Sequence, residues 1–237
     1  MMPRSPYIVF LILLIFFVIS FITNIIGPLM PDIIESFNLS LTLVALIPFA
    51  FFIAYGVMSI PAGMLLLKFK EKHLIVSAFI VIFFGAILLA LLPSYLTALF
   101  SFFIIGCGMA ILQVVINPLL RVTGGEEHFA MYAVFAQLVF GFASFLSPLV
   151  YTQLASETFF LADYPFLQNL STFLIPKELP WISLYFLFSV ISLFMILILA
   201  FSKFPKVELK SNEKSGALAT HIKLFKNKQI QLFFLGM

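Results

Sequence analysis

Neutral polar side chains lie inside long apolar segments of the sequence, where only hydrocarbon side chains would be expected. The clearest pair is Gln113 and Asn117, which are four residues apart and are followed by Pro118. Residues four apart share one face of a helix, so both amides should point in the same direction. Similar groups occur in the first and fifth apolar segments: Thr23, Asn24 and Gln137.

These groups need partners, because burying an unpaired amide costs about 1–3 kcal/mol. One interpretation is hydrogen bonding between helices, which membrane bundles use. The other is a polar cavity that holds water or a solute. Two amides on one helix face, with further polar groups on two other helices, favour the cavity.

The composition indicates an integral membrane protein that lies in the lipid bilayer. Of the 237 residues, 63% are hydrophobic and only 10% are charged, whereas soluble domains carry about 25% charged residues. Apolar segments of about 20 residues predict membrane-spanning helices. We therefore predict an all-α membrane protein with six spans, at about residues 7–30, 41–67, 74–93, 97–120, 129–153 and 180–202.

The basic residues predict the orientation and the domain organisation. Every Lys and Arg except Lys177 falls on one side of the predicted bundle, and this side is expected to be cytoplasmic, together with the N-terminus. Residues 1–202 form the predicted six-helix bundle, and residues 203–228 form a basic cytoplasmic linker. The apolar run 229–237 is too short for a span and predicts the start of a truncated seventh helix.

The acidic residues restrict the class of function. All of them fall in predicted loops, and the three His residues are isolated. Ionisable groups at membrane depth usually mark proton relays or ion pathways, so the sequence argues against a proton-carrying carboxylate within these spans. It also argues against an enzyme. We expect no metal, no other cofactor and no nucleic-acid partner.

Two proline-containing blocks suggest an internal repeat. The block "IIGPLM" begins at Ile25 and "VINPLL" begins at Val115, which is 90 residues later. The spans that contain them cross the membrane in opposite directions. This is the pattern of two inverted three-helix repeats, in which bent helices face the substrate path. The alternative is that proline is common near the ends of spans.

Several blocks resemble the fucose–galactose–glucose symporter family of the major facilitator superfamily. They are "NIIGPLMPDIIESFNLSLTLVALIPFAFFIAYGVMSIPAGMLL", "GMAILQVVINPLLRVTGGEE" and "FAQLVFGFASFLSPLV". The resemblance implies a secondary transporter of twelve helices, which moves a sugar-like small-molecule substrate by alternating access, in a bacterial inner membrane. This chain would be the N-terminal half, and the C-terminal six-helix half is absent from it. The amides implied to bind sugar hydroxyls are Asn24, Gln113, Asn117 and Gln137.

The sequence also departs from that family. Ile26-Gly27 replaces a typical Asn-Asp pair, Phe140 replaces an asparagine, and Leu67 replaces the acid of the superfamily's loop motif. Cation coupling would then depend on an acid in the absent half. Two alternatives stay open, a transporter of lipophilic compounds (drug efflux type) and a non-transporting six-helix membrane module.

Overall fold

A computed structural model describes residues 5–155, 175–176 and 178–204. The described residues are helical apart from short turns. Six helical segments are long and apolar enough to cross a membrane: Pro6–Phe37, Leu41–Lys68, Glu71–Leu91, Tyr95–Gly124, Glu126–Leu154 and Pro180–Phe201. They are called the first to sixth spans below. The predicted all-α, six-span membrane fold is confirmed. The predicted seventh helix and nearly all of the predicted linker lie outside the described residues.

The fourth, fifth and sixth spans each contain one α-helix. The fourth span is one helix, and 3-10 turns at Glu126–His128 and Pro180–Ile182 begin the fifth and sixth spans. Their α-helices are Phe129–Ala155 and Ser183–Phe201. The end of the bundle at which the first span begins is called the near end, and the opposite end is called the far end.

The first span differs from the prediction in its length. It consists of two helices, Pro6–Asn24 and Ile26–Phe37, and ends at Asn38, whose φ of 48° is left-handed. The sequence predicted an end near residue 30, with Pro28 close to that end. Pro28 instead lies in the first turn of the second helix, where its missing N–H would have had no helical partner.

Five acids that were predicted to lie in loops fall within the spans. Asp32 and Glu35 lie in the last turns of the extended first span, and Glu71 is the first residue of the third span. Glu126 and Glu127 begin the fifth span. Glu71 is only 7% exposed. The prediction that no acid lies within a span was therefore wrong, but all five acids are at span ends.

The spans pair across the two halves of the sequence. The fourth span packs most extensively against the second and third spans. The third span also packs against the sixth, and the first span packs against the fifth. The first span of each predicted three-helix repeat thus packs on the middle span of the other repeat. The first span packs on the fifth, and the fourth packs on the second. This exchange is consistent with the predicted inverted repeats.

Two glycines allow the fourth span to approach its neighbours closely. A Cβ atom on Gly106 would lie 2.5 Å from the Phe51 carbonyl oxygen of the second span. A Cβ atom on Gly108 would lie 2.6 Å from Cγ1 of Ile82 and 2.8 Å from the Ala78 carbonyl oxygen, both on the third span. Small residues at such positions let backbones of membrane helices meet.

Aromatic side chains close the far end of the bundle. The Trp181 indole donates a hydrogen bond to Ser36 Oγ at 2.8 Å, and its ring meets Phe37 edge-on at 5.9 Å between centroids. Trp181 and Tyr185 are each 1% exposed. Their side chains therefore pack inside the bundle instead of being exposed on its surface. The Tyr95 hydroxyl joins the fourth and second spans by donating to the Leu43 carbonyl at 3.0 Å.

Three spans converge at the near end of the bundle. The Lys72 ammonium of the third span donates to the carbonyls of Ala200 and Ser202 at 2.6 and 2.8 Å. The Tyr7 hydroxyl of the first span is 2.9 Å from Ser202 Oγ. Since a helix C-terminus carries unpaired carbonyls and a partial negative charge, the lysine caps the sixth span.

We expect Gly106→Ala to destabilise the bundle, because the added methyl group would meet backbone atoms of the second span. Overpacking of this kind costs about 1–3 kcal/mol. Gly141→Ala is the matched control, since a Cβ there meets nothing within 4 Å. The check is the thermal unfolding temperature of both purified variants in detergent. Equal values for the two variants would contradict the close contact.

Candidate functional site

The break in the first span lies directly after Asn24. Ile25 separates the two helices with φ −79° and ψ −15°. Proline at position 28 has no N–H for the Asn24 carbonyl, four residues earlier, and its ring crowds that carbonyl. The break therefore places Thr23 and Asn24 at a helix end inside the bundle, where backbone and side chain can both meet partners.

Asn24 belongs to a short chain of hydrogen bonds that reaches the fifth span. Its side-chain amide donates to the carbonyl and to Oγ of Ser20, at 2.9 and 3.1 Å. Ser20 is fully buried, and its hydroxyl donates to the Phe140 carbonyl at 2.6 Å. The backbone of Phe140 therefore supplies a polar contact, although its side chain is apolar.

A second polar group lies where the first, second and fourth spans meet. The Tyr55 phenol of the second span is close enough to the side chains of Gln113 and Thr23 to interact with both. Tyr55 is half-buried. Sequence reasoning missed Tyr55, because a single tyrosine in an apolar span also fits a filling role. The signal that could have found it is its hydroxyl, which needs a partner at that depth.

Gln113 and Asn117 share a helix face but have different surroundings. Gln113 is half-buried beside Tyr55, whereas Asn117 is exposed. The Asn117 amide donates to the Gln113 carbonyl at 3.2 Å, so one of its two N–H groups is used within its own helix. The rest of the Asn117 amide faces away from the bundle core.

Gln137 lies on the fifth span and is also exposed. Within the described residues it makes no hydrogen bond to the other three amides. It is one helical turn before Phe140, which receives the hydrogen bond from Ser20. The structure thus brings Gln113 together with Thr23 and Tyr55. Asn117 bonds to the Gln113 carbonyl, whereas Asn24 bonds to Ser20 on its own helix.

None of the four candidate amides lines the void between the first, second, fourth and sixth spans. This void has a volume of about 10 Å³ and lies among apolar side chains, for example Ile22, Phe51 and Phe188. It is no larger than one water molecule. Asn117 and Gln137 are exposed at the surface of the bundle.

Comparison with known proteins gives consistent results. The model of the Major Facilitator Superfamily matches residues 12–237. A glucose/galactose transporter of Brucella abortus is 38% identical over 117 residues, which is 48% of this chain and 28% of that protein. An L-fucose-proton symporter of Escherichia coli is 26% identical over 235 residues, covering 92% of this chain and 52% of that protein. The chain thus spans about half or less of these relatives.

Solved structures show the same fold. The transporter FucP in an outward conformation superposes with a TM-score of 0.68 at 23% identity, over 92% of this chain and 56% of that one. A second structure of the Escherichia coli fucose:proton symporter gives 0.67 at 21% identity, over 95% and 57%.

We expect positions 117 and 137 to face water and not lipid. In a Cys107→Ala background, Asn117→Cys and Gln137→Cys should react with a charged, water-soluble thiosulfonate roughly tenfold or more faster than a lipid-facing cysteine, because the reactive thiolate forms only in water. Val190→Cys is the control, since Val190 is 63% exposed on the apolar sixth span. The measurement is the labelling rate in membranes. Equal rates at all three positions would place the amides in lipid.

Proposed function

The chain belongs to the major facilitator superfamily, and on that premise we propose that it is the N-terminal half of a transporter for a neutral sugar. The observation that carries the proposal is the convergence of uncharged polar groups from three spans beside Gln113. An amide offers both donors and an acceptor, and a hydroxyl offers a donor and two acceptors. Such groups match the alternating donors and acceptors of a sugar without requiring a charge.

The names of the relatives support a sugar over a lipophilic substrate. One is described as a glucose/galactose transporter and another as an L-fucose-proton symporter. A cavity for lipophilic compounds is therefore not favoured, although exposed phenylalanines such as Phe142 and Phe145 are present.

A second six-helix half would cover the exposed amides and close the site. Asn117 and Gln137 are exposed on the bundle, and this chain covers about half of the fucose symporter. Rocking of two halves around a site between them would expose a sugar to each side in turn, as in alternating access. The second half is the partner that this mechanism requires.

The charge distribution supports a cytoplasmic location for the near end. Lys68, Lys70 and Arg121 lie there, at the ends of the second and fourth spans or just beyond. Positively charged loops stay preferentially on the cytoplasmic side. The N-terminus would then be cytoplasmic as well, in a bacterial inner membrane as the bacterial relatives suggest.

We expect Gln113→Ala and Asn117→Ala each to lower sugar uptake by the full-length protein roughly three- to tenfold or more, without lowering its amount in the membrane. Each change removes an amide that would hydrogen-bond the ligand, and such bonds contribute about 0.5–1.5 kcal/mol each, or more where the remaining group is left buried and unpaired. Uptake of labelled glucose, galactose and fucose into cells measures the effect. Gln153→Ala is the control, an amide near the far end of the fifth span. Normal uptake in both variants would disprove this site.

We expect Asp32 and Glu35 to have no part in cation coupling, because they lie at the end of the first span. In the variants Asp32→Asn and Glu35→Gln, sugar accumulation should respond to collapse of the proton and sodium gradients as it does in the unmodified protein. Wild-type uptake that ignores both collapses would identify a facilitator. Loss of accumulation with sugar exchange intact, in either variant, would instead assign that acid to coupling.

A further inference from the structure

Tyr55 is held firmly at its place on the second span. Its ring packs against Phe51, one turn earlier, at 5.4 Å between centroids. Phe51 and Ala54 are also the residues that the fourth span meets at Gly106. The close contact of the two spans therefore fixes the turn from which the Tyr55 hydroxyl reaches the Gln113 and Thr23 side chains.

The Thr23 hydroxyl has unused hydrogen-bonding capacity. Its Oγ1 atom is shielded from the surface and has no direct hydrogen bond within the described residues. Threonine in a membrane helix usually donates to a carbonyl one turn earlier, as Thr123 does to Leu119 at 2.8 Å. Thr23 instead lies close enough to the Tyr55 phenol to interact with it. A buried hydroxyl without a direct partner is costly, so a water or a ligand group should complete its bonding.

We propose that Thr23, Tyr55 and Gln113 form a subsite that binds one hydroxyl group of the transported sugar. This inference rests on the proposed function. The two protein hydroxyls and the carboxamide can satisfy both the donor and the acceptors of a single ligand hydroxyl. In the unliganded state, a water molecule takes the same place and is displaced by the sugar.

The internal repeat accounts for the position of two of these residues. Thr23 and Gln113 are 90 residues apart, which is also the separation of Pro28 and Pro118. They are therefore equivalent positions, five residues before the proline of each repeat. Tyr55 has no such equivalent, because the residue 90 positions later is Phe145. The subsite is thus built from one repeat-related pair and one unique side chain.

The test uses Tyr55→Phe and Thr23→Val in the full-length transporter. Both changes remove a hydroxyl and nearly preserve the side-chain shape. Each should raise the KM for the transported sugar roughly three- to tenfold, as the loss of one hydrogen bond predicts, with Vmax nearly unchanged. Tyr95→Phe is the matched control. It removes the hydrogen bond to the Leu43 carbonyl, which joins the same two spans away from the site, and its KM should equal that of the unmodified protein.

Monodeoxy sugars identify the hydroxyl that the subsite binds. One deoxy analogue of glucose or galactose should bind the unmodified transporter roughly three- to tenfold more weakly than the parent sugar. Tyr55→Phe should show little further loss for that same analogue, because the interaction has already been removed from the sugar. For the other analogues, the losses caused by the variant and by the sugar should multiply.

Three results would overturn the proposal. Kinetics of Tyr55→Phe and Thr23→Val equal to those of Tyr95→Phe would disprove the subsite and leave the sugar transporter intact. A fall in Vmax with unchanged KM and unchanged discrimination among deoxy sugars would show a role in folding or movement. Absence of uptake and binding of every sugar by the unmodified protein would remove both the proposed function and the subsite.

Discussion

The whole arrangement depends on the fourth span fitting between the second and third spans at backbone distance. That fit requires glycine at 106 and 108, since a side chain at either position would overlap a neighbouring helix. The two glycines are two residues apart and therefore face in nearly opposite directions. Gln113 follows two turns later on the same helix, and Tyr55 follows the contact on the second span. The fourth span, which has no side chain at these two positions, thus determines where the polar groups meet.

The sequence predicted the number of spans and most of their limits, because an apolar run of sufficient length has no other stable location than a membrane. It failed at the first span. Pro28 was predicted to lie near the end of this span, but a proline can also belong to the beginning of a new helix. Whether the proline ends one helix or begins the next depends on whether the chain bends there. The amino-acid composition does not contain that information. Asp32 and Glu35 consequently continue the helix as its last polar turns.

The candidate site was predictable in part. Helical spacing correctly placed Gln113 and Asn117 on one face, yet spacing alone does not reveal how close the next helix is. In the structure Gln113 is half-buried and Asn117 is exposed. Tyr55 and the Phe140 carbonyl were missed for a related reason. The role of Tyr55 depends on the orientation of its side chain. The Phe140 carbonyl is a backbone group that every residue has. Whether these groups bind a sugar stays a prediction.

The hydrogen bonds to Ser202 from two other spans secure the end of the sixth span. A lysine and a phenol from two other spans hold this residue, so the last turn of the sixth span is prevented from fraying. The chain therefore leaves the bundle at a position that is fixed relative to the first and third spans.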